Sequence, residues 1–366
     1  VEVEALVANL LEGAQGVAGP LGDLQAALPP GWSFPVAVNN AISELRFDDI
    51  MAAITPAHET ATEITTAVAA LPQAGFLEKY KTRFETTPTA GRLESLAADA
   101  KSDRLKAQRA GRALEQLEAE VAEVGDWVIP DAVTTPLETG QLDAGVEIIE
   151  DAQAVVSAAS AADVALAEAR LRAEVQPQFE AVTTGAEMAA LRARVEQRAA
   201  EAETVGNALS TLERLVPTWQ IPGVVADPVA AGDFAGAVDT AQAAERWVKH
   251  AAEAQDALPE LNALESIKDA FENAVSLEEL SAGADLAQDQ SEAAGWVQQA
   301  QVLAAEDRDL LTDYCLWGVN VDAIVDEAVA AAVAGEVQTA SEKSTQAIAT
   351  LDGGASSGSL RLAGIV

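Results

Sequence analysis

The sequence predicts an all-α protein made of tandem repeats of about 95 residues, and three observations carry that expectation. A Trp-x-apolar-Pro pattern recurs from Trp32 to Pro35, Trp127 to Pro130 and Trp219 to Pro222, with a degenerate fourth copy at Trp317, at intervals of 95, 92 and 98 residues. Each of the first three Trp is followed, 52 residues on, by the pairs Phe84-Glu85, Phe179-Glu180 and Phe271-Glu272, and 15 residues on by Phe47, Leu142 and Phe234. Apolar residues recur at helical spacings of three and four, and alternating apolar runs bounded by turns are missing, so little or no sheet is expected.

Each unit is expected to be a bundle of long antiparallel helices, and the units to form an elongated array, because a period with divergent copies marks a stack of one supersecondary unit. The expected division is 1–31, the closing helix of a truncated preceding repeat; 32–126, 127–218 and 219–316, three helical repeats; 317–351, a partial fourth; and 352–366, a Gly/Ser linker toward a lost membrane anchor.

In order, Leu6, Leu10, Leu11, Leu21, Leu24 and Leu28 give a helical pattern broken at Gly19-Pro20. Pro35 stands at the start of a short helix, where its missing N–H costs nothing. A long helix follows from Phe47 toward Leu71, and Pro72 and Gly75 end it. Phe76, Tyr80 and Phe84 then share one helical face. The third main helix runs from Gly91 to Val124, with Leu114, Leu117, Val121 and Val124 as its seam.

The second unit has a stripe of Val146, Ile149, Ala152 and Val156, then Phe179, the turn Thr183-Thr184-Gly185, and a closing helix through Met188, Leu191, Val195, Val205, Leu209 and Leu212. The third carries Trp247 and His250, a break at Pro259, Phe271, and Ser276 as an N-cap with Glu279 three residues on. Its closing helix passes Trp296 toward Leu311, and one Ala- and Val-rich helix ending near Leu351 is expected after Trp317.

Composition narrows the function classes. With 49% apolar residues the chain has ample material for a core, and a net charge of −37, from 59 acidic and 22 basic residues, argues against nucleic-acid or anionic-membrane partners. Such acidity suits a solvated helical surface, a cell-exterior milieu, or a face for cations or basic partners. Cys315 is the only cysteine, so an internal disulfide and a thiolate zinc site are both excluded. Val1 opens the sequence without Met or a signal-like run, which predicts that the native chain is longer.

No catalytic, cofactor-binding or metal-ligating residue is assigned. Neither His58 nor His250 has a Cys, Asp or Glu at ligand spacing that ranks above chance in so acidic a chain, and Asp48-Asp49 and Glu278-Glu279 are two of many carboxylate pairs. The Trp motif is read as a wedge at a helix junction rather than a ligand stack, and Trp247, Trp296 and the cluster Tyr314 to Trp317 as core. Gly140 to Gly145 and Gly232 to Ala237 resemble the start of tetratricopeptide-type helices, and three helices per unit resemble spectrin-type bundles. Each likeness is short and the period differs, so no family follows. The expected function is a non-enzymatic structural or adhesive protein, an extracellular or cell-surface stalk or scaffold that meets a protein partner or itself and uses no cofactor; an α-solenoid peptide- or protein-binding module is the alternative.

Overall fold

The computed structural model describes residues 2–125, 127–306 and 321–362, and among these the protein is all-helical, with no strand. The helices are α1 (Glu2–Ala27), α2 (Val36–Ser43), α3 (Phe47–Ala70), α4 (Phe76–Glu85), α5 (Ala90–Val124), α6 (Asp131–Glu138), α7 (Leu142–Ala165), α8 (Leu171–Glu180), α9 (Gly185–Leu215), α10 (Gly223–Ala231), α11 (Phe234–Ala257), α12 (Ala263–Glu272), α13 (Leu277–Glu306), α14 (Val321–Val333) and α15 (Val337–Leu362). Three 3-10 turns interrupt them: η1 (Pro72–Ala74), η2 (Ala167–Ala169) and η3 (Pro259–Leu261).

The same order of elements follows Trp32, Trp127 and Trp219. First comes a helix of 8, 8 or 9 residues, then one of 24 in every case, a 3-10 turn of 3, a helix of 10, and a last helix of 35, 31 or 30 residues. Breaks lie at Pro35, Pro72, Pro130, Pro222 and Pro259, where proline withholds its N–H. The first helix ends each time in a left-handed residue: Leu45 (φ 51), Gly140 (φ 74) and Gly232 (φ 76). The next N–H reaches back to a carbonyl five residues earlier, as in Gln141 N to Pro136 O (2.8 Å) and Asp233 N to Pro228 O (2.9 Å), a Schellman closure. Gly335 (φ 79) with Glu336 N to Ala331 O (2.8 Å) repeats it between α14 and α15.

Two compact units are present: Val1–Ser160 with Leu171–Gln197, and Ala161–Arg170 with Arg198–Val366. They do not follow the Trp-to-Trp intervals. In the first unit α3 packs along α5, burying Ile50, Ile54, Ile64, Leu93 and Leu96 among many alanines. In the second, α11 packs along α13 in the same way, with Trp247 set over Gly283, and α13, α14 and α15 enclose Ala300, Ala304, Val321, Val325, Ala347 and Leu351.

Four expectations are corrected. The long helices α3 and α5 are parallel, not antiparallel: Glu63 pairs with Arg104, and Ala70 lies against Gly111, so both numbers rise together. The reason is α4, which runs against α5 (Lys79 and Tyr80 to Asp103, Arg83 to Asp99) and reverses the chain a second time. Residues 352–362, expected as linker, continue α15, because propagating a formed helix adds a hydrogen bond per residue and a glycine costs only about 1 kcal/mol there. A break at Gly19-Pro20 does not occur; α1 passes through Pro20 because Gly19 has no Cβ to collide with the proline ring. Finally, the single helix expected after Trp317 is two, α14 and α15, divided at Gly335.

Two glycines permit the closest helix contacts. A Cβ on Gly111 would lie 2.3 Å from Ala70 O, and one on Gly206 would lie 2.2 Å from Ala165 O. Gly111→Ala and Gly206→Ala are therefore each expected to destabilise by about 1–3 kcal/mol through overpacking. Gly295→Ala, in open space on α13, is expected to stabilise by up to about 1 kcal/mol; urea unfolding of the three variants checks the contrast.

Candidate functional site

The residues singled out by the sequence converge at three junctions. The Trp-x-apolar-Pro segment is non-helical, so the N–H after each Trp has no helical acceptor. Glu85 accepts from Ser33 N (2.9 Å), Glu180 from Val128 N (3.1 Å) and Glu272 from Gln220 N (3.0 Å), each across 52 residues. The neighbouring rings stack at a tilt: Trp32 on Phe84 at 5.3 Å, Trp127 on Phe179 at 5.2 Å and Trp219 on Phe271 at 5.7 Å. All three Phe are fully buried. Trp32 and Trp127 are buried too, whereas Trp219 is half-buried.

Each Glu is the last residue of its ten-residue helix. Lys81 Nζ binds Glu85 at 2.8 Å and Gln176 Nε2 donates to Glu180 at 3.0 Å, both one turn back. Hydrogen bonds from Lys81 and from the Ser33 N–H hold the Glu85 carboxyl below its usual range. Tyr80 is the opposite case: burial, then its bond to Asp103, push the phenol up, so it stays a donor to Asp103 Oδ2 at 2.8 Å. Both bonds fall on Glu85 Oε1, which makes that oxygen a structural acceptor.

The other candidates are dispersed. His250 Nδ1 lies 3.0 Å from Glu253 Oε2 on the same helix, and the His58 carbonyl accepts from Thr62. Asp49 pairs with Arg46, and Ser276 Oγ accepts from Glu279 N (3.2 Å), the expected N-cap, while Glu279 accepts from Val275 N (2.8 Å), one residue before the cap. Trp247 is buried, edge-on to Phe271 at 5.7 Å. Trp296 is a correction: it is 46% exposed on α13 rather than core, since helical spacing alone does not say which stripe meets a neighbour. Tyr314, Cys315 and Trp317 lie outside the described residues.

Among the described residues no group of three or more His, Cys, Asp or Glu is placed to hold a metal, and no helix is long and apolar enough to cross a membrane. Open recesses lie among the described residues. The first, about 610 Å³, lies between α1 and α3 beside Glu12, Gly13, Arg46 and Phe47. Another, about 400 Å³, has Leu209, Glu213, Pro217, Trp219 and Ile221 as walls. The third, about 310 Å³, lies by Val182, Glu187 and Arg194.

Identities at the same distance from the Trp went unread in the sequence. Val38, Val133 and Val225, each 0% exposed, fill the first turn after the Pro, and Leu71, Leu166 and Leu258 each follow an Ala at the end of the 24-residue helix. Extending the count from the Trp by every offset would have found them. Comparison of the chain with protein-family models, curated proteins and solved structures finds no match.

Two outcomes test the junction. Trp127→Ala removes a buried ring and is expected to cost about 3–5 kcal/mol, with a smaller loss for Trp219→Ala at its half-buried site, as read by thermal or urea unfolding. Because the Glu85 carboxyl is lowered when folded, its contribution is present above the ordinary carboxylate pKa and disappears as pH falls through the lower folded value. The stability difference between wild type and Glu85→Gln should thus be widest near neutral pH and close in acid; a gap that grows on acidification would overturn this assignment.

Proposed function

We propose that the chain is a tandem array of one helical unit of about 95 residues that serves as a non-enzymatic structural or adhesive scaffold, an extended stalk at the cell surface or outside the cell. The observation that supports it best is the threefold recurrence of one junction, the same ring pair and the same carboxylate-to-amide bond at the same separation. The residues set at equal positions in each described segment are spent on joining helices. High negative charge suits an exterior surface and keeps like units apart. Its partner is a protein or another copy of the chain, and the acidity disfavours nucleic acid and anionic lipid.

A second reading, an α-solenoid module that grips a peptide, is favoured by the recess at Trp219, where a half-exposed indole stands beside Pro217, Ile221 and Glu213. Shape separates the scaffold from a closed fold. A globule of this length has a radius of gyration near 21 Å by the usual scaling, and the extended array is expected to exceed it well. Small-angle scattering on the monomer at moderate salt reads the value directly; a result at the globular figure would remove the stalk.

A further inference from the structure

We infer that the exposed apolar stripe on the first turns of α1 is a docking face for the paired 24-residue and ten-residue helices of a further copy of the unit. The inference rests on the tandem-unit reading. Val3 is 72% exposed, Leu6 59%, Val7 59%, Leu10 36% and Leu11 58%, whereas Val17 and Leu24, further along the same helix, are buried. α1 packs on α3 and meets Phe47 at Gly13; the turns before that contact carry the stripe.

The last long helices of the following segments say what covers such a face. Val17 and Leu24 share their spacing of seven and their burial with Ala110 and Leu117 of α5 and with Val205 and Leu212 of α9, pairs that stand alike about Gly111 and Gly206. Laid on that register, Val3 corresponds to Leu96 and Leu191, Leu6 to Asp99 and Arg194, Val7 to Ala100 and Val195, and Leu10 to Asp103 and Arg198. Leu96, Ala100, Leu191 and Val195 are buried. Asp99 binds Arg83 and Asp103 binds Tyr80 and Lys79 of α4, Arg104, beside Asp103, binds Glu63 of α3, and Arg192, beside Leu191, binds Asp151 of α7. At these positions, then, a last helix meets the 24-residue helix before it, and in the first segment the ten-residue helix as well.

Charge selects the same occupant. α1 holds Glu2, Glu4, Glu12 and Asp23 and no basic residue, so two α1 faces packed together would set like charges against each other. The α4 type of helix instead brings Lys79, Lys81 and Arg83, and an acidic helix beside a basic one is favoured in encounter and register.

The test is a chain in which a second copy of residues 32–93 is joined ahead of Val1, the junction that the register prescribes. Helicity is read by far-UV circular dichroism and residues 3–11 by amide exchange. The expected result is full helicity in the added residues and exchange at 3–11 slowed by about tenfold or more. Leu6→Glu with Leu10→Glu should restore fast exchange in the joined chain, yet leave the helicity of the original chain unchanged, since both residues are exposed there. If the added residues gain helicity and 3–11 exchange as before, the docking face is refuted while the tandem unit stands. If the added residues gain no helicity, the tandem unit itself fails and the docking face with it. A dimer of the original chain that the double substitution dissolves, seen by sedimentation, would assign the stripe to self-association and overturn the inference.

Discussion

The constraint on which the rest depends is one backbone N–H per junction, the amide that follows each Trp. It sits in a non-helical segment beside a large ring, ahead of a proline that can donate nothing. Ser33, Val128 and Gln220 are exposed, so water competes for each amide, and the bond draws its advantage from the full charge on its acceptor. A carboxylate answers the amide, and does so against local preference: an anion in the last turn of a helix opposes the macrodipole by about 0.3–1 kcal/mol. That Glu85, Glu180 and Glu272 all occupy this unfavourable place means that the charge-assisted bond to the distant amide outweighs the dipole.

Pinning the C-terminus of the ten-residue helix under the Trp has consequences for direction. The helix must run back along its neighbour, as Lys79 and Arg83 of α4 do against Asp103 and Asp99 of α5. Two reversals then return the chain to its first heading, which is why α3 and α5 are parallel. The end of the 24-residue helix is left facing the middle of the following long helix. There Gly111 and Gly206 let the carbonyls of Ala70 and Ala165 approach more closely than any side chain would permit.

Much of this was legible in the sequence, and the reasons differ by element. Prolines mark helix starts and breaks through a missing donor, a local effect, so Pro35, Pro72, Pro130, Pro222 and Pro259 could be read directly. The Phe-Glu pair was legible as a repeat but not as a bond, because nothing local says that Glu180 reaches an amide 52 residues away. Direction was illegible for the same reason: periodicity defines a stripe, and a stripe packs equally well on a parallel or an antiparallel neighbour. Leu45 could not be identified as the counterpart of Gly140 and Gly232, since a left-handed leucine costs on the order of 1–2 kcal/mol and is held only by the Schellman closure around it. Trp296 shows the limit for burial, being an apolar residue at helical spacing whose face meets no covering element among the described residues.

Register between the long helices raises a different problem, because their seams are rich in alanine. Ala53, Ala57, Ala61 and Ala67 of α3 face a helix that carries Ala97, Ala100, Ala107 and Ala110, and sliding such surfaces by one turn buries nearly the same area. Hydrophobic burial therefore holds the helices together without choosing their offset. Basic residues are scarce, 22 against 59 acidic, and several stand at these seams: Arg104 on Glu63, Lys106 on Asp143, Arg109 on Glu150 and Arg192 on Asp151. As partly exposed pairs each adds little stability, about 0–1 kcal/mol. Their worth lies in the difference between offsets, since a slide by one turn would bring Ala100 or Gln108, Ser102 or Ala110, and Leu105 or Ala113 to the places of Arg104, Lys106 and Arg109. With the glycine contacts excluding the same slides sterically, a few cations and two missing side chains select one alignment that alanine leaves degenerate.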